Sequence, residues 1–297
     1  MRGLRRLRGD LPERSYRPGV IEFVEETLAL LPFLFGTYLV LEAVEARAGG
    51  ALGSFLERSR AIGPLAGALA GAVPQCGVSV AAASFYAGGL VSLGTLAAVF
   101  LSTSDELIPV LLSSRISPRI LFKIVALKAA AAVAAGFAID VFLRFLRHRR
   151  RAVSPAELCE HSFCGCRHRH GILVPAAIHT LEVFAFIAIV SGAIEICMHF
   201  FGEDLLEKIR FGTPFAGEAL AGLAGMVPNC AVSVAFAKLY ADGAIGPGAL
   251  MASSFTGCGL GLLALFRTNR NLKENLAVLG CVYVLGTVLG WLCGFAF

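Results

Sequence analysis

Charged side chains are scarce in this sequence. Of its 297 residues only 16% are charged, whereas 57% are hydrophobic. A soluble globular domain carries about 25% charged residues, so the composition excludes that class of protein. Several apolar runs approach the roughly 20 residues that cross a bilayer as a helix. We therefore expect a polytopic all-α membrane protein.

Three further features are absent. The sequence has no G-x-x-x-x-G-K-[ST] phosphate loop, so nothing indicates an ATPase. It has no C-x-x-C pair, which weighs against the alternative of a membrane thiol oxidoreductase. No small-residue cleavage site follows the first apolar segment, so residues 1–19 are expected to be a basic cytoplasmic tail and not a signal peptide. We expect no enzymatic activity, no required cofactor and no binding of nucleic acid.

One phrase occurs twice in the chain. It reads GAVPQCGVSV at 71–80 and GMVPNCAVSV at 225–234, 154 residues further on. Residues 63–96 align with 217–250 at that offset, without a gap and with 17 identities in 34 positions. The alignment indicates an internal duplication. It divides the chain after the tail into membrane repeat one at 20–143, a basic linker at 144–171, and membrane repeat two at 172–297.

Each half reads as five apolar segments in the same order. They are expected at 20–46, 61–73, 75–90, 92–113 and 119–143, and again at 172–200, 214–227, 229–241, 246–266 and 275–297. The short pieces rise roughly 20–24 Å, less than the bilayer core of about 30 Å. We therefore expect about ten transmembrane segments in two inverted repeats, with broken or re-entrant helices. The basic tail and the basic linker both favour the cytoplasm, so either one of them violates the positive-inside rule or a segment such as 92–113 does not cross.

Proline interrupts the short pair of segments in both halves, at Pro74 and Pro228. A kink alone would account for the prolines, but not for the side-chain amide and the thiol that follow each of them. Interrupted segments at matching places in duplicated halves indicate a transporter's binding site. The reason is that backbone groups freed by a break must face protein, water or substrate. Together with the motif described next, the candidate substrate-binding or ion-binding residues are Gln75, Cys76, Ser79, Ser104, Asp105, Glu106, Asn229, Cys230, Ser233 and Cys258.

A second polar group is expected in the middle of an apolar helix, where residues 102–106 read STSDE. Ionisable residues inside a membrane segment indicate a functional site, the alternative being a position at the membrane interface. The oxygens could replace water around a divalent cation, or one carboxylate could carry a proton. In repeat two Cys258 replaces Ser104 and Gly259 replaces Asp105. This divergence favours one asymmetric site over two equivalent ones.

Other ionisable residues occur in the first helix of each half. Glu42 and Glu195 occupy matching places late in these helices. His179 and Glu182 lie three residues apart, so they can share one helix face. These four residues are candidates for coupling or gating.

The linker contains the tract LCEHSFCGCRHRHG at 158–171. Cysteine-rich and histidine-rich tracts on polar loops are typical of metal binding. The alternating spacing does not fit a zinc finger, so a collecting or sensing loop is expected, with a solvated basic linker as the alternative. The candidate metal ligands in this loop are Cys159, His161, Cys164, Cys166, His168 and His170.

These motifs together resemble a known family. The two Pro-amide-Cys phrases, AVFLSTSDELIPVL, GLGLLALFRTNRNLKEN and the Cys/His-rich loop are similar to those of the ten-helix heavy-metal exporters, whose members also carry the names manganese transporter and arsenic efflux protein. The resemblance covers nearly the whole chain from about Val20 to Phe297 and implies metal efflux. In this loop arginines stand between the potential ligands, a departure that leaves its metal role open.

The expected function is secondary active export of divalent or heavy-metal ions, coupled to protons. Thiols favour soft ions and the carboxylates and amides favour hard ions such as manganese, so the mixture suits a borderline divalent ion best. The alternatives are a permease for an arsenical or sulfur-containing small molecule and a membrane thiol oxidoreductase. The expected partners are the lipid bilayer, a metal or metalloid substrate and protons, and the expected location is the inner membrane of a bacterial cell, with several crossings.

Overall fold

A computed structural model provides the fold of the chain. It describes residues 28, 30–32, 34–40, 52–73, 75–103, 107–114, 116–145, 173–208, 215–241 and 243–297. The predicted tail at 1–19, the linker with its candidate metal ligands, and Glu42 therefore lie outside the described residues.

The described residues form helices and connecting turns, which agrees with the predicted all-α class. The helices are α1 Leu30–Val40, α2 Leu52–Gly71, α3 Cys76–Ala87, α4 Leu93–Ser102, α5 Leu107–Ser113, α6 Pro118–Phe145, α7 Leu173–Lys208, α8 Ala216–Gly225, α9 Cys230–Ala241, α10 Pro247–Thr256, α11 Gly261–Thr268 and α12 Leu272–Gly294.

The helix breaks predicted before Cys76 and Cys230 are confirmed, since α2 ends at Gly71 and α8 ends at Gly225. Two predicted boundaries differ in the structure. Single apolar segments were expected at 92–113 and 246–266, but a second pair of breaks, one in each segment, interrupts the helices there, while Pro247–Thr268 as a whole remains apolar and long enough to cross a membrane. Ser102, the first residue of the polar STSDE group, is the last residue of α4, and Thr103 caps that helix. The group therefore begins at a helix end, whereas it was expected in the middle of a helix. The first piece of the interrupted pair is also longer than expected, because α2 begins at Leu52 and not near residue 61.

Two short helices, α4 and α10, form the centre of the fold. All residues from Gly94 to Ser102 are buried, as are most of those from Gly248 to Thr256. A helix that is apolar on every side is stable only when other helices surround it. Helices α2 and α6 pack against α4, and α8 and α12 pack against α10 in the same manner.

Glycines allow the helices around this centre to approach closely. A Cβ atom on Gly71 would clash with Ser102 of α4, and one on Gly225 would clash with Thr256 of α10. Small residues at the contact let helix backbones approach in membrane proteins, where lipid is as apolar as any aliphatic side chain. The contact of Gly71 with Ser102 thus recurs as the contact of Gly225 with Thr256, and both residues of the second pair lie 154 positions after those of the first.

The two halves exchange contacts through their short helices. Helix α3 of the first half packs against α11 of the second, and α9 of the second half packs against α5 of the first. The bounds of α3, 76–87, and α9, 230–241, differ by 154 at both ends, and those of α4 and α10 do as well. The reciprocal contacts bring the helix breaks of both halves to the middle of the molecule.

Within the part of the chain that the structure describes, four segments are long and apolar enough to cross a membrane: Pro118–Phe145, Ala176–Ile194, Pro247–Thr268 and Leu272–Gly294. The third of these runs through α10, the break after it and α11. Large apolar side chains such as Phe122 and Phe142 of α6 are exposed. Contiguous exposed apolar surface on long helices is typical of a protein surrounded by lipid.

Candidate functional site

The first pair of breaks has the same backbone geometry in both halves. The amide of Gln75 donates to the carbonyl of Val73 over 2.8 Å, and the amide of Asn229 donates to the carbonyl of Val227 over 2.8 Å. Such tight local bonds replace the helical ones that the break removes. Pro228 lies in its break as predicted, whereas Pro74 lies outside the described residues.

The candidate residues of the first break line the start of α3. Gln75 precedes the helix with an extended backbone, and its side chain makes no capping hydrogen bond. Cys76 begins the helix and is half-buried. The buried Ser79 hydroxyl donates to the Cys76 carbonyl over 2.8 Å, so it is engaged within its own helix.

In the second half Asn229 is buried and Ser233 is half-buried. Cys230 begins α9, but its side chain lies outside the described part of the structure. Cys258, at the break after α10, is buried, and its thiol donates to the Thr256 carbonyl over 3.3 Å. The cysteines at 76, 258, 281 and 293 carry thiols, as expected for cysteines in apolar segments.

A small cavity lies where the breaks of the two halves meet. It is bounded by the end of α4 and the start of α5 from the first half, and by α8, α9 and the end of α10 from the second. Its lining residues are Thr103, Leu107, Gly225, Val232, Ser233, Phe236, Ser253, Ser254 and Gly257. Of the predicted site residues, Ser233 therefore lies at this cavity. Ser104, Asp105 and Glu106 are outside the described residues, although Thr103 and Leu107 on either side of them both line the cavity.

Two helices direct their carboxyl ends at this cavity. Helix α4 ends at Ser102 and α10 ends at Thr256. The last carbonyls of a helix have no partner within it, and together they carry a partial negative charge. The cavity wall thus combines carbonyl oxygens with serine hydroxyls, an arrangement that favours a cation.

A buried lysine, which the sequence reasoning missed, contacts the same wall. Lys128 of α6 is only 1% exposed. Its ammonium donates to the Thr103 carbonyl. It also donates to the Ser254 hydroxyl over 2.6 Å. Both acceptors line the cavity, one from each half.

At the corresponding place in the other half, a glycine packs closely on a serine. Gly261 occupies the position in repeat two that Leu107 occupies in repeat one, and it packs directly on Ser79. A Cβ atom on Gly261 would lie 2.7 Å from the Ser79 Cβ atom. Ser233, the counterpart of Ser79, instead faces the cavity. The halves therefore share a backbone plan but differ in the space that each encloses.

Three of the four candidate gating residues belong to α7, and the two whose side chains are described, His179 and Glu182, are not among the cavity-lining residues. The ring of His179 stacks on Tyr38 of α1, with 5.7 Å between the ring centres. Glu182 pairs with Arg267 of α11 over 3.7 Å. Arg267 also lies over the ring of Phe186. Glu195 belongs to α7, but its side chain is outside the described part of the structure.

Among the described residues, no three His, Cys, Asp or Glu side chains come together as a preformed metal site. The predicted ligands in the linker are outside these residues, as are the carboxylates of Asp105 and Glu106. The described cavity therefore offers hydroxyl and carbonyl oxygens from the ends of interrupted helices.

The fold and the cavity together define a polytopic helical membrane protein with a small cavity, lined by both hydroxyl-bearing and apolar residues, between interrupted helices. Residues 23–194 match the family described as "Putative, 10TM heavy-metal exporter", and the chain belongs to that family. The match covers nearly all of the first half, the linker and the apolar part of α7, and it confirms the expected resemblance over these residues, whereas 195–297 lie outside the match. No curated protein and no solved structure matched the chain.

Proposed function

We propose that the chain is a secondary active transporter that exports divalent or heavy-metal ions through the cavity between its helix breaks. The observation that carries this proposal is the cavity itself, which lies where α4, α5, α8, α9 and α10 end or begin. Binding sites of secondary transporters are typically built from discontinuous helices near the middle of the membrane. The family's description supports a metal as the substrate.

The two halves act in this proposal as inverted repeats related by a pseudo-twofold axis. The matching helix bounds and the reciprocal packing of α3 with α11 and of α9 with α5 support it. In such transporters one repeat rocks against the other around a fixed site. The cavity, lined from both halves, would open alternately to the two sides of the membrane.

The cavity's own chemistry favours a cation that accepts oxygen ligands. Hydroxyls of Ser233 and Ser254 and the carbonyl of Thr103 are hard donors. Carboxylates at Asp105 and Glu106 follow Thr103 directly in the sequence and would supply the charge that balances a divalent ion. Thiols at Cys76, Cys230 and Cys258 would extend the range toward softer ions, so we propose manganese-like or borderline cargo.

Proton coupling is the energy source that we propose. Glu42, His179, Glu182 and Glu195 are the candidate carriers. The contact of Glu182 with Arg267 links α7 to α11, whose first residue follows the break at 257–260. Protonation of Glu182 would weaken that link, which offers a way to connect proton uptake to movement of α11.

The proposal is tested by uptake into inside-out vesicles or proteoliposomes with a panel of manganese, zinc, cadmium and arsenite. We expect a divalent metal to move, and Cys76→Ser to change the preference among the metals. The matched control is Cys281→Ser, which replaces a half-buried thiol on α12 and should leave the preference among the metals unchanged. If arsenite is the only substrate transported, the permease alternative replaces the metal exporter. If none of the four substrates is transported and Cys76→Ser has no effect, the proposal that the protein exports these ions is contradicted.

The linker is tested separately by deleting residues 158–170. If this loop only collects or senses metal, the shortened protein keeps its maximal transport rate, and its response at low metal concentration weakens. Complete loss of transport in a protein that still folds would place the principal metal site in the loop and not in the cavity.

A further inference from the structure

Lys128 is unusual among the described residues because its side chain is charged and almost fully buried. It lies in Pro118–Phe145, a helix long and apolar enough to cross the membrane. Asp140, on the same helix, is the other charged residue that is buried in the described part of the chain. Ionisable residues at this depth are costly and therefore indicate function.

Asp140 has a structural explanation. Its carboxylate accepts from the Ser92 hydroxyl over 2.7 Å and from the Gly94 amide over 3.0 Å. It thereby caps the amino end of α4, where a negative charge is favourable. Asp140 lies twelve residues after Lys128, or about 18 Å along α6, so the two side chains do not form an ion pair.

Lys128 is not needed to fill its place in the packing. The corresponding residue of repeat two is Val282, which is buried to the same degree, 1% exposed, on α12. The Ser254 hydroxyl has no counterpart either, because Phe100 occupies the corresponding position, whereas Gly257, the counterpart of Thr103, also has a backbone carbonyl. The ammonium and the hydroxyl that it contacts thus have no equivalents at the corresponding positions, although they come from different halves, Lys128 from the first and Ser254 from the second.

The ammonium occupies a place suited to a cation. It contacts a carbonyl at the end of α4 and a hydroxyl near the end of α10, and both residues also line the cavity. Carbonyl and hydroxyl oxygens at helix carboxyl ends are the ligands that a metal cation would use there. A lysine ammonium and an entering cation would therefore require the same oxygens.

We propose that Lys128 is a tethered cation that competes with the transported metal for the Thr103 carbonyl and the Ser254 hydroxyl. This inference rests on the proposed function and deepens it. When the site is empty, the ammonium satisfies these oxygens in the membrane interior. When a metal enters, it takes over the oxygens and the ammonium withdraws. The apparent Kd for the metal then equals the intrinsic Kd divided by the fraction of time for which the ammonium leaves these oxygens available.

The test is equilibrium binding of manganese and of cadmium to the purified full-length protein in detergent. Lys128→Met and Lys128→Gln remove the tethered charge, and Lys128→Arg retains it. We expect the Kd of the two neutral variants to fall by roughly tenfold or more, as for a site that is available less than about a tenth of the time in the unaltered protein. Lys128→Arg should bind as weakly as the unaltered protein.

The matched control is Lys123→Met on the same helix. Lys123 is exposed and contacts the chain end through the Ala296 carbonyl and the ring of Phe297. Its replacement also removes one positive charge from α6, at an exposed position five residues, or about 7.5 Å of helix, before Lys128. We expect its Kd for metal to stay within about twofold of the unaltered protein, because exposed charges are screened by solvent and salt.

A double-mutant cycle separates competition from simple repulsion. If the metal takes over the Ser254 hydroxyl, part of the gain in Lys128→Met disappears when Ser254→Ala is added. A gain that is independent of Ser254 contradicts the shared ligand. An unchanged Kd in both neutral variants, or neutral variants that no longer fold, also contradicts the proposal, since a competitor is dispensable for folding. If the unaltered protein neither binds nor transports any metal, the result contradicts the proposed function itself and not only the role of Lys128.

Discussion

At the scale of single residues, the cavity depends on a few oxygens. Among the described residues, Ser233 is the predicted site residue that lines the cavity. The hydroxyl of its counterpart, Ser79, donates a hydrogen bond to the Cys76 carbonyl. The two serines come from one duplicated phrase, yet only Ser233 faces the space that could hold cargo. The sequence predicted both serines as binding residues, because a motif that occurs twice does not show which copy faces a cavity.

Ser233→Ala should weaken metal transport without unfolding the protein. The loss of one neutral oxygen ligand costs about 0.5–1.5 kcal/mol, which corresponds to roughly a two- to tenfold rise in KM. Tracer flux in proteoliposomes over a range of metal concentrations measures this value. Ser114→Ala, an exposed serine that bonds to the Val110 carbonyl, is the control and should leave KM unchanged. Equal KM values for the two variants would remove Ser233 from the site.

Glu182 and Arg267 should contribute to coupling more than to stability. Their side chains are 27% and 41% exposed and 3.7 Å apart, so the ion pair stabilises the protein by no more than about 1 kcal/mol. We expect Glu182→Gln to leave the melting temperature nearly unchanged but to reduce the metal flux that a pH gradient drives. Fluxes with and without the gradient provide the comparison. A variant that retains full gradient-driven flux would exclude Glu182 from coupling.

Lys128 shows what sequence reasoning can miss at this scale. It is a single charge between apolar residues in an alanine-rich segment, with no motif around it. The rule that ionisable residues inside membrane segments indicate function applies to it as well as to Asp105 and Glu106. Its acceptors, however, lie 25 and 126 positions away in the chain, so only the fold brings them together.

At the scale of elements, the helix breaks were predicted where proline marks them. The second breaks, after α4 and after α10, were missed. No proline lies in either one, and the apolar runs on both sides read as continuous segments. The signal was present in the polar STSDE group and in the glycines of TGCGLG, since both types of residue favour helix ends and turns over helix interiors.

Close contacts at glycine should decide whether the central helices can pack. A Cβ atom on Gly225 would clash with backbone and side-chain atoms of Ser253 and Thr256. We expect Gly225→Val to destabilise the protein by about 1–3 kcal/mol through overpacking and to abolish transport. Thermal unfolding and flux of the purified variant give both quantities.

Gly280→Val is the control for this substitution. Gly280 is exposed on α12, and a Cβ atom there meets nothing within 4 Å. It should keep the melting temperature and the flux of the unaltered protein. If Gly225→Val behaves like this control, the close packing of α8 on α10 is not required for the fold.

At the scale of the whole molecule, the predicted membrane class and family are confirmed, while the number of crossings stays a prediction. Among the described residues, four segments are long and apolar enough to span a membrane, and the other apolar helices are shorter. The exchange of contacts between halves could not be derived from the duplication alone. Repeats specify which helices correspond, but not whether a helix packs within its own half or across to the other.

The central claim is that cargo binds in the cavity where the breaks of both halves meet. Its most direct test is a structure of the full-length protein with bound cadmium, whose strong scattering locates the ion. We expect cadmium density beside Thr103, Ser233 and Ser254, with the Lys128 ammonium displaced from the Thr103 carbonyl and the Ser254 hydroxyl. Cadmium density confined to the linker at 158–170 or elsewhere, with an empty cavity, would contradict it.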